Sequence, residues 1–167
     1  MLKVAIIGPE STGKSTLAQQ LAQRYKGIYV PEYAREYVEQ LGRDYTYDDV
    51  CAIARYQIEQ LKAYADNTDD GVVFFDTELI ITRVWFDYCY GSTPDWVVEA
   101  MRQYKPDVYL LLYPDLAWVD DPVRENGGEA IRLELFRRYE QEIQALGVPY
   151  YIIRHTDDGG ISATKMA

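Results

Sequence analysis

The chain has 167 residues, 48% of them hydrophobic, which suits one domain with a full buried core. It carries 17 Lys and Arg against 27 Asp and Glu, a net charge of −10. That balance argues against a nucleic-acid partner or an anionic membrane surface, because both need a basic face.

The first element expected is a strand over Leu2–Ile7, followed by Gly8-Pro9-Glu10-Ser11-Thr12-Gly13-Lys14-Ser15-Thr16 and a helix over Lys14–Tyr25. Lys26-Gly27 ends that helix, and Ile28-Tyr29-Val30 reads as a short strand stopped by Pro31. Helices are expected over Tyr33–Gln40 and from Tyr47, where Asp48 and Asp49 sit at an N-terminus that favours negative charge. Val72–Asp76 is a continuous apolar run ending in a carboxylate, the pattern of a strand buried on both faces. A helix runs on to Tyr90. Thr93 is expected to cap the next one, with Pro94 in its first turn. Asp107–Leu112 reads as a further buried strand, the polar segment 120–132 as a small lid, and the stretch to Leu146 as a long helix. Val148–Ile153 is expected to be the last strand.

Strands alternating with helices predict an α/β fold, a parallel sheet of about five strands with helices on both faces. Right-handed crossovers bring the strand C-termini to one rim, where Gly8, Glu32 and Asp76 converge. The start of the chain reads as a strand and not a signal peptide, and no apolar run approaches the ~20 residues of a membrane helix. The expected location is the cytoplasm. Cys51 and Cys89 have no metal-ligand spacing and read as reduced thiols, and the single histidine, His155, is expected at a surface or edge.

The segment from Gly8 fits G-x-x-x-x-G-K-[ST], the phosphate-cradling P-loop, in its proper strand–loop–helix setting. Gly8, Glu10, Ser11, Thr12, Gly13, Lys14, Ser15 and Thr16 are therefore the expected nucleotide-binding residues. Backbone N–H groups and the helix N-terminus bind phosphate, Lys14 meets the terminal phosphates, and Ser15 is a ligand for Mg²⁺. Asp76 matches the Walker B position and is the second expected metal ligand. Either Glu32 or Asp76 is placed to take a proton from an attacking hydroxyl, and Arg35 to fix substrate or hold Glu32. Arg124 and Arg132, in or beside the lid, are expected to neutralise the transferring phosphoryl.

Nearly the whole chain resembles the ribosylnicotinamide kinase domain of the bacterial NAD-salvage regulator family. The resemblance runs through the P-loop, Glu32-Tyr33-Ala34-Arg35-Glu36-Tyr37-Val38, Phe75-Asp76-Thr77-Glu78 and Trp118-Val119-Asp120-Asp121-Pro122-Val123-Arg124. It implies ATP-dependent phosphorylation of the 5′-hydroxyl of nicotinamide riboside, with Mg²⁺, in a nucleoside-kinase-like fold. Tyr33, Tyr37, Trp85 and Tyr88 are then candidate walls for the cationic ring, and Asp76, Glu78 and Asp120 candidate partners of the ribose hydroxyls. Two departures stand out. Pro31 replaces an expected tryptophan, and the residues after Ile153 do not read as a closing helix, which leaves the adenine side open.

The competing reading is a regulatory ATPase or switch with no small-molecule acceptor. A guanine-type Asn-Lys-x-Asp signature is missing, and Thr77 separates Asp76 from Glu78, which breaks the Asp-Glu pair of AAA-type motors.

Overall fold

The computed structural model describes residues 1–120, 122–123, 125 and 127–166. Its strands are β1 (Leu2–Ile7), β2 (Ile28–Val30), β3 (Val72–Asp76), β4 (Val108–Leu112), β5 (Tyr150–His155) and β6 (Ile161–Met166). They pair in the order β2-β3-β1-β4-β5-β6. The first five are parallel, with Ile6 in register with Asp76 on one side and with Leu110 on the other. The helices are α1 (Lys14–Tyr25), α2 (Tyr33–Leu41), α3 (Tyr47–Ala65), α4 (Leu79–Tyr90), α5 (Asp95–Gln103) and α6 (Glu129–Leu146).

The period-two alternation of β1 divides the core. Ala5 and Ile7 face a large cluster built with α3, α4, α5 and α6. Val4 and Ile6 face a smaller one built with Leu17, Ala18 and Ala22 of α1. Both faces are covered, but unequally. The P-loop that follows β1 therefore springs from a strand inside the sheet whose last four residues are buried.

The sheet has six strands among the described residues, one more than expected. The tail after Ile153 is neither a helix nor a loose end. β5 runs on to His155 and β6 returns antiparallel to it, with His155 opposite Ile161 and Tyr150 opposite Met166. The turn is closed by Thr156 N–H on the Gly160 carbonyl at 3.0 Å and by Gly160 N–H on Asp158 at 3.1 Å.

Thr93 does not cap α5. Its hydroxyl donates to the Arg83 carbonyl at 3.0 Å and to Asp87 at 2.7 Å, which ties the turn back to α4. Pro94 holds the cap position in extended geometry, and its carbonyl accepts from Val97 N–H at 3.0 Å. α3 begins with a complete capping box between Thr46 and Asp49.

Candidate active site

Gly8 makes the first bend of the loop at φ 155, with the backbone of β4 against it. A Cβ there would meet the Leu112 carbonyl oxygen at 2.8 Å. Only glycine allows this approach. Ser11, at φ 57, then turns the chain through left-handed geometry, and α1 starts at Lys14. The Thr12 hydroxyl donates to the Pro9 carbonyl at 2.8 Å, and the Lys14 ammonium reaches back to the same oxygen at 3.0 Å.

A cleft of about 280 Å³ opens above this loop. Gly8 and residues 10–16 form its floor at one end, so every expected nucleotide-binding residue lines it. Glu32, Arg35 and Val38, at the start of α2 and along it, form one wall. Trp85, Tyr88 and Cys89 of α4 form another, and Tyr139 of α6 with Val123 and Glu125 completes the surround. Tyr45, between α2 and α3, sits edge-on to Trp85 with ring centroids 4.7 Å apart. Its hydroxyl donates to Glu125 at 3.0 Å, which links the α2 side of the cleft to segment 120–132.

Burial raises the Glu32 carboxyl above its ordinary range. The Lys14 charge opposes that shift, while Asp76 and Glu10 add to it. Glu32 is therefore a carboxylate within the field of the P-loop lysine and facing the cleft. Arg35 also lines the cleft and pairs with Glu39 at 2.9 Å, one helical turn on.

Asp76 is placed differently. It ends β3 beside the P-loop strand, 1% exposed, and is not among the residues lining the cleft. The Tyr29 hydroxyl donates to Oδ2 at 3.1 Å, and Oδ1 is buried with no hydrogen-bond partner among the described residues. A buried, unpaired carboxylate oxygen is costly unless something satisfies it. A hard cation held by one carboxylate, a serine hydroxyl and phosphate oxygens suits that position, as Mg²⁺ sites commonly use few protein ligands. Ser15, in the first turn of α1, is exposed and lines the cleft with its hydroxyl group available. Among the described residues no group of three or more His, Cys, Asp or Glu side chains is assembled as a metal cluster.

Five expected site residues stand elsewhere or act otherwise. Tyr33 stacks on Tyr56 of α3 at 3.7 Å and does not line the cleft, and Tyr37 donates to Asp49 at 2.9 Å. Glu78 is 3% exposed and turned into the fold. It accepts from Ile80 N–H at 3.0 Å as the cap of α4 and from the Tyr109 hydroxyl, and burial pushes its carboxyl up to about 7. Asp120 accepts the Trp118 indole N–H at 2.9 Å and is not part of the cleft lining. Arg132 is 4% exposed and donates to the backbone carbonyls of Glu10 and Ser11 in the P-loop. Its helical phase on α6, beside Leu135, Phe136 and Tyr139, buries it. Arg124 lies outside the described residues.

The sequence reading passed over Tyr45, Cys89 and Tyr139. Tyr139 carries the one usable signal, since it falls on the buried face of α6 at helical spacing from Arg132 and Leu135. His155 ends β5, half-buried and covered on its outer side by β6, and it flanks the P-loop. Asp115 holds its Nδ1 at 2.7 Å and its backbone N–H at 2.9 Å, and Nε2 lies 3.6 Å from where a Cβ of Gly13 would stand.

Among the described residues no helix is long and apolar enough to cross a membrane. A family described as AAA domain (AAA_28) matches residues 3–158. The Trifunctional NAD biosynthesis/regulator protein NadR of Escherichia coli (strain K12) is 28% identical over 158 residues, covering 92% of this chain and 38% of that protein. A crystal structure of NadR protein in complex with NR superposes at TM-score 0.70 with 26% identity, over 95% of this chain and 46% of the other. Deoxyadenosine kinase from M. mycoides superposes at 0.59 with 16% identity over 90% and 89%, a likeness of fold alone. The chain thus spans less than half the length of the NadR proteins it matches.

Proposed function

We propose that this chain, which belongs to the AAA domain family, is an ATP-dependent P-loop nucleoside kinase whose acceptor is the 5′-hydroxyl of nicotinamide riboside. One observation carries the reading. A single cleft is lined in part by a phosphate-binding loop and for the rest by a carboxylate and aromatic side chains. A switch that only hydrolyses nucleotide has no need of the second half. The NR complex of a NadR protein at 26% identity supports the choice of acceptor.

The acceptor hydroxyl attacks the γ-phosphorus of ATP. A new P–O bond forms there, the bond to the β,γ-bridging oxygen breaks, and ADP leaves. Glu32 is better placed than Asp76 to take the proton, because it faces the cleft while Asp76 is buried. Its raised affinity for protons suits the task. Lys14 balances the charge of the terminal phosphates. Ser15 and Asp76 would hold Mg²⁺, which would supply charge neutralisation on the phosphate oxygens. Trp85, Tyr45 and Tyr88 line the cleft with aromatic rings, a surface that attracts a cationic pyridinium, and Glu125 adds a carboxyl group to the same lining. Arg124, in the lid segment, remains the arginine proposed for the phosphoryl group.

The test is ATP turnover with and without nicotinamide riboside, scoring phosphorylated product against ADP. Product should rise in step with ADP and vanish in Lys14→Ala. Slow hydrolysis indifferent to any nucleoside added would replace the kinase with the regulatory ATPase.

A further inference from the structure

The guanidinium of Arg132 donates from Nε to the Glu10 carbonyl at 3.2 Å and from Nη2 to the Ser11 carbonyl at 3.1 Å. Nη1 reaches the Leu116 carbonyl at 2.9 Å. The side chain is 4% exposed and comes from the first turn of α6, more than 120 positions from the loop it touches. A buried arginine needs such partners, since an unpaired buried charge is strongly destabilising. Here the partners are two consecutive carbonyls at the crown of the P-loop.

A peptide unit is planar and trans, so its C=O and the following N–H point in opposite directions. Drawing the Glu10 oxygen toward α6 turns the Ser11 N–H the other way, and drawing the Ser11 oxygen turns the Thr12 N–H the other way. Both residues line the cleft floor. The same pull favours the left-handed Ser11, φ 57, a conformation that a non-glycine residue seldom adopts unaided. Val119 N–H donates to the Ser11 hydroxyl at 3.3 Å, tying the lid-side segment to the same residue.

We infer that Arg132 is a positioning residue for nucleotide binding: it orients the Glu10–Ser11 and Ser11–Thr12 peptide planes so that their N–H groups face the phosphates. It acts through the loop backbone and does not touch the transferring phosphoryl. The inference rests on the nucleotide half of the proposed function and is independent of the acceptor.

The experiment is calorimetric titration of the full chain with ADP and with a non-hydrolysable ATP analogue, alongside steady-state kinetics. In Arg132→Met, loss of the aligned donors should raise Kd for both nucleotides about 10- to 100-fold. KM for ATP should rise with it, while the acceptor KM and kcat at saturating ATP stay near wild type. Arg132→Lys, which keeps the charge but not the fork, should fall between the two, and it carries the test if the Met variant does not fold. Backbone amide shifts of Ser11 and Thr12 should move in the Lys variant without nucleotide.

Unchanged Kd in a folded variant would overturn the inference, as would a fall in kcat with Kd intact, which is the signature of an arginine on the phosphoryl group. Loss of the fold in both variants would assign Arg132 to stability alone and overturn it too. A wild-type chain that binds no nucleotide overturns the kinase reading as well. Binding without acceptor phosphorylation overturns only the acceptor, and the role of Arg132 survives.

Discussion

Asp76 has two oxygens in two different situations, and the difference has a consequence. Oδ2 is fixed by Tyr29, whose hydroxyl is itself within 3.5 Å of Gln19. Oδ1 has no hydrogen-bond partner among the described residues and is the oxygen proposed for a cation. A carboxylate anchored on one side loses little rotamer freedom when the other side binds, so Tyr29 should set metal affinity without being a ligand. Tyr29→Phe should therefore raise the Mg²⁺ concentration needed for half-maximal activity several-fold, and Asp76→Asn should raise it further. Binding of Mn²⁺ as a spectroscopic probe in the nucleotide complex gives a readout independent of turnover. An unchanged Mn²⁺ titration in Tyr29→Phe would remove the tyrosine from this role. Burial chiefly, with the Asp76 and Glu32 charges, keeps the phenol protonated well past neutrality, so it remains a donor across the working range.

The elements were legible where a strong physical signal was local. Apolar runs marked β1, β3 and β4, glycine stops marked the ends of α2 and α4, and the P-loop announced the turn between β1 and α1. β6 was not legible, because Ile161-Ser162-Ala163-Thr164-Lys165-Met166 lies mostly exposed at a sheet edge. No buried face imposes an apolar alternation there, and only the Asp157–Gly160 turn hints at a hairpin. The far half of the cleft was hidden for another reason. Tyr45, Cys89 and Tyr139 come from three separate segments, and only tertiary packing brings them together. Asp49 shows the same limit at the join of α2 and α3. As part of a capping box it is readable, but its other contacts are tertiary. It accepts from the Tyr37 hydroxyl at 2.9 Å and from both terminal nitrogens of Arg43, at 2.7 and 3.0 Å. The Arg43 bond above all, then the Thr46 backbone, holds its carboxyl well below the usual range. A carboxylate with a lowered folded pKa contributes stability above its unfolded value, near 3.8, and loses it as the pH falls. Asp49→Asn should thus lower Tm at neutral pH, with the gap to wild type narrowing well below 3.8. A constant gap in thermal scans would show that the amide costs packing and not charge.

The molecule as a whole is strongly acidic, at net −10, so its self-repulsion grows as carboxyls ionise with rising pH. Glu78 acts in the same direction from within. It lies beneath the sheet rim, between the start of α4 and Tyr109, and burial raises it to about 7 against an ordinary 4.5. The native state therefore holds a proton that the unfolded chain has released. Its contribution to stability is complete below about 4.5, declines between 4.5 and about 7, and is gone above that. This window lies above the one in which Asp49 acts, so the two can be separated. Glu78→Gln removes the titration while keeping an oxygen for Ile80 N–H and the Tyr109 hydroxyl. The global repulsion is common to both proteins in that window, and it cancels in their difference. Relative to wild type, the Gln variant should gain Tm steadily from about 4.5 to about 7 and hold that gain at higher pH. Wild-type and variant Tm profiles that run parallel across this interval would show that Glu78 stays ionised in the fold, and that the acidic surface alone sets the pH dependence.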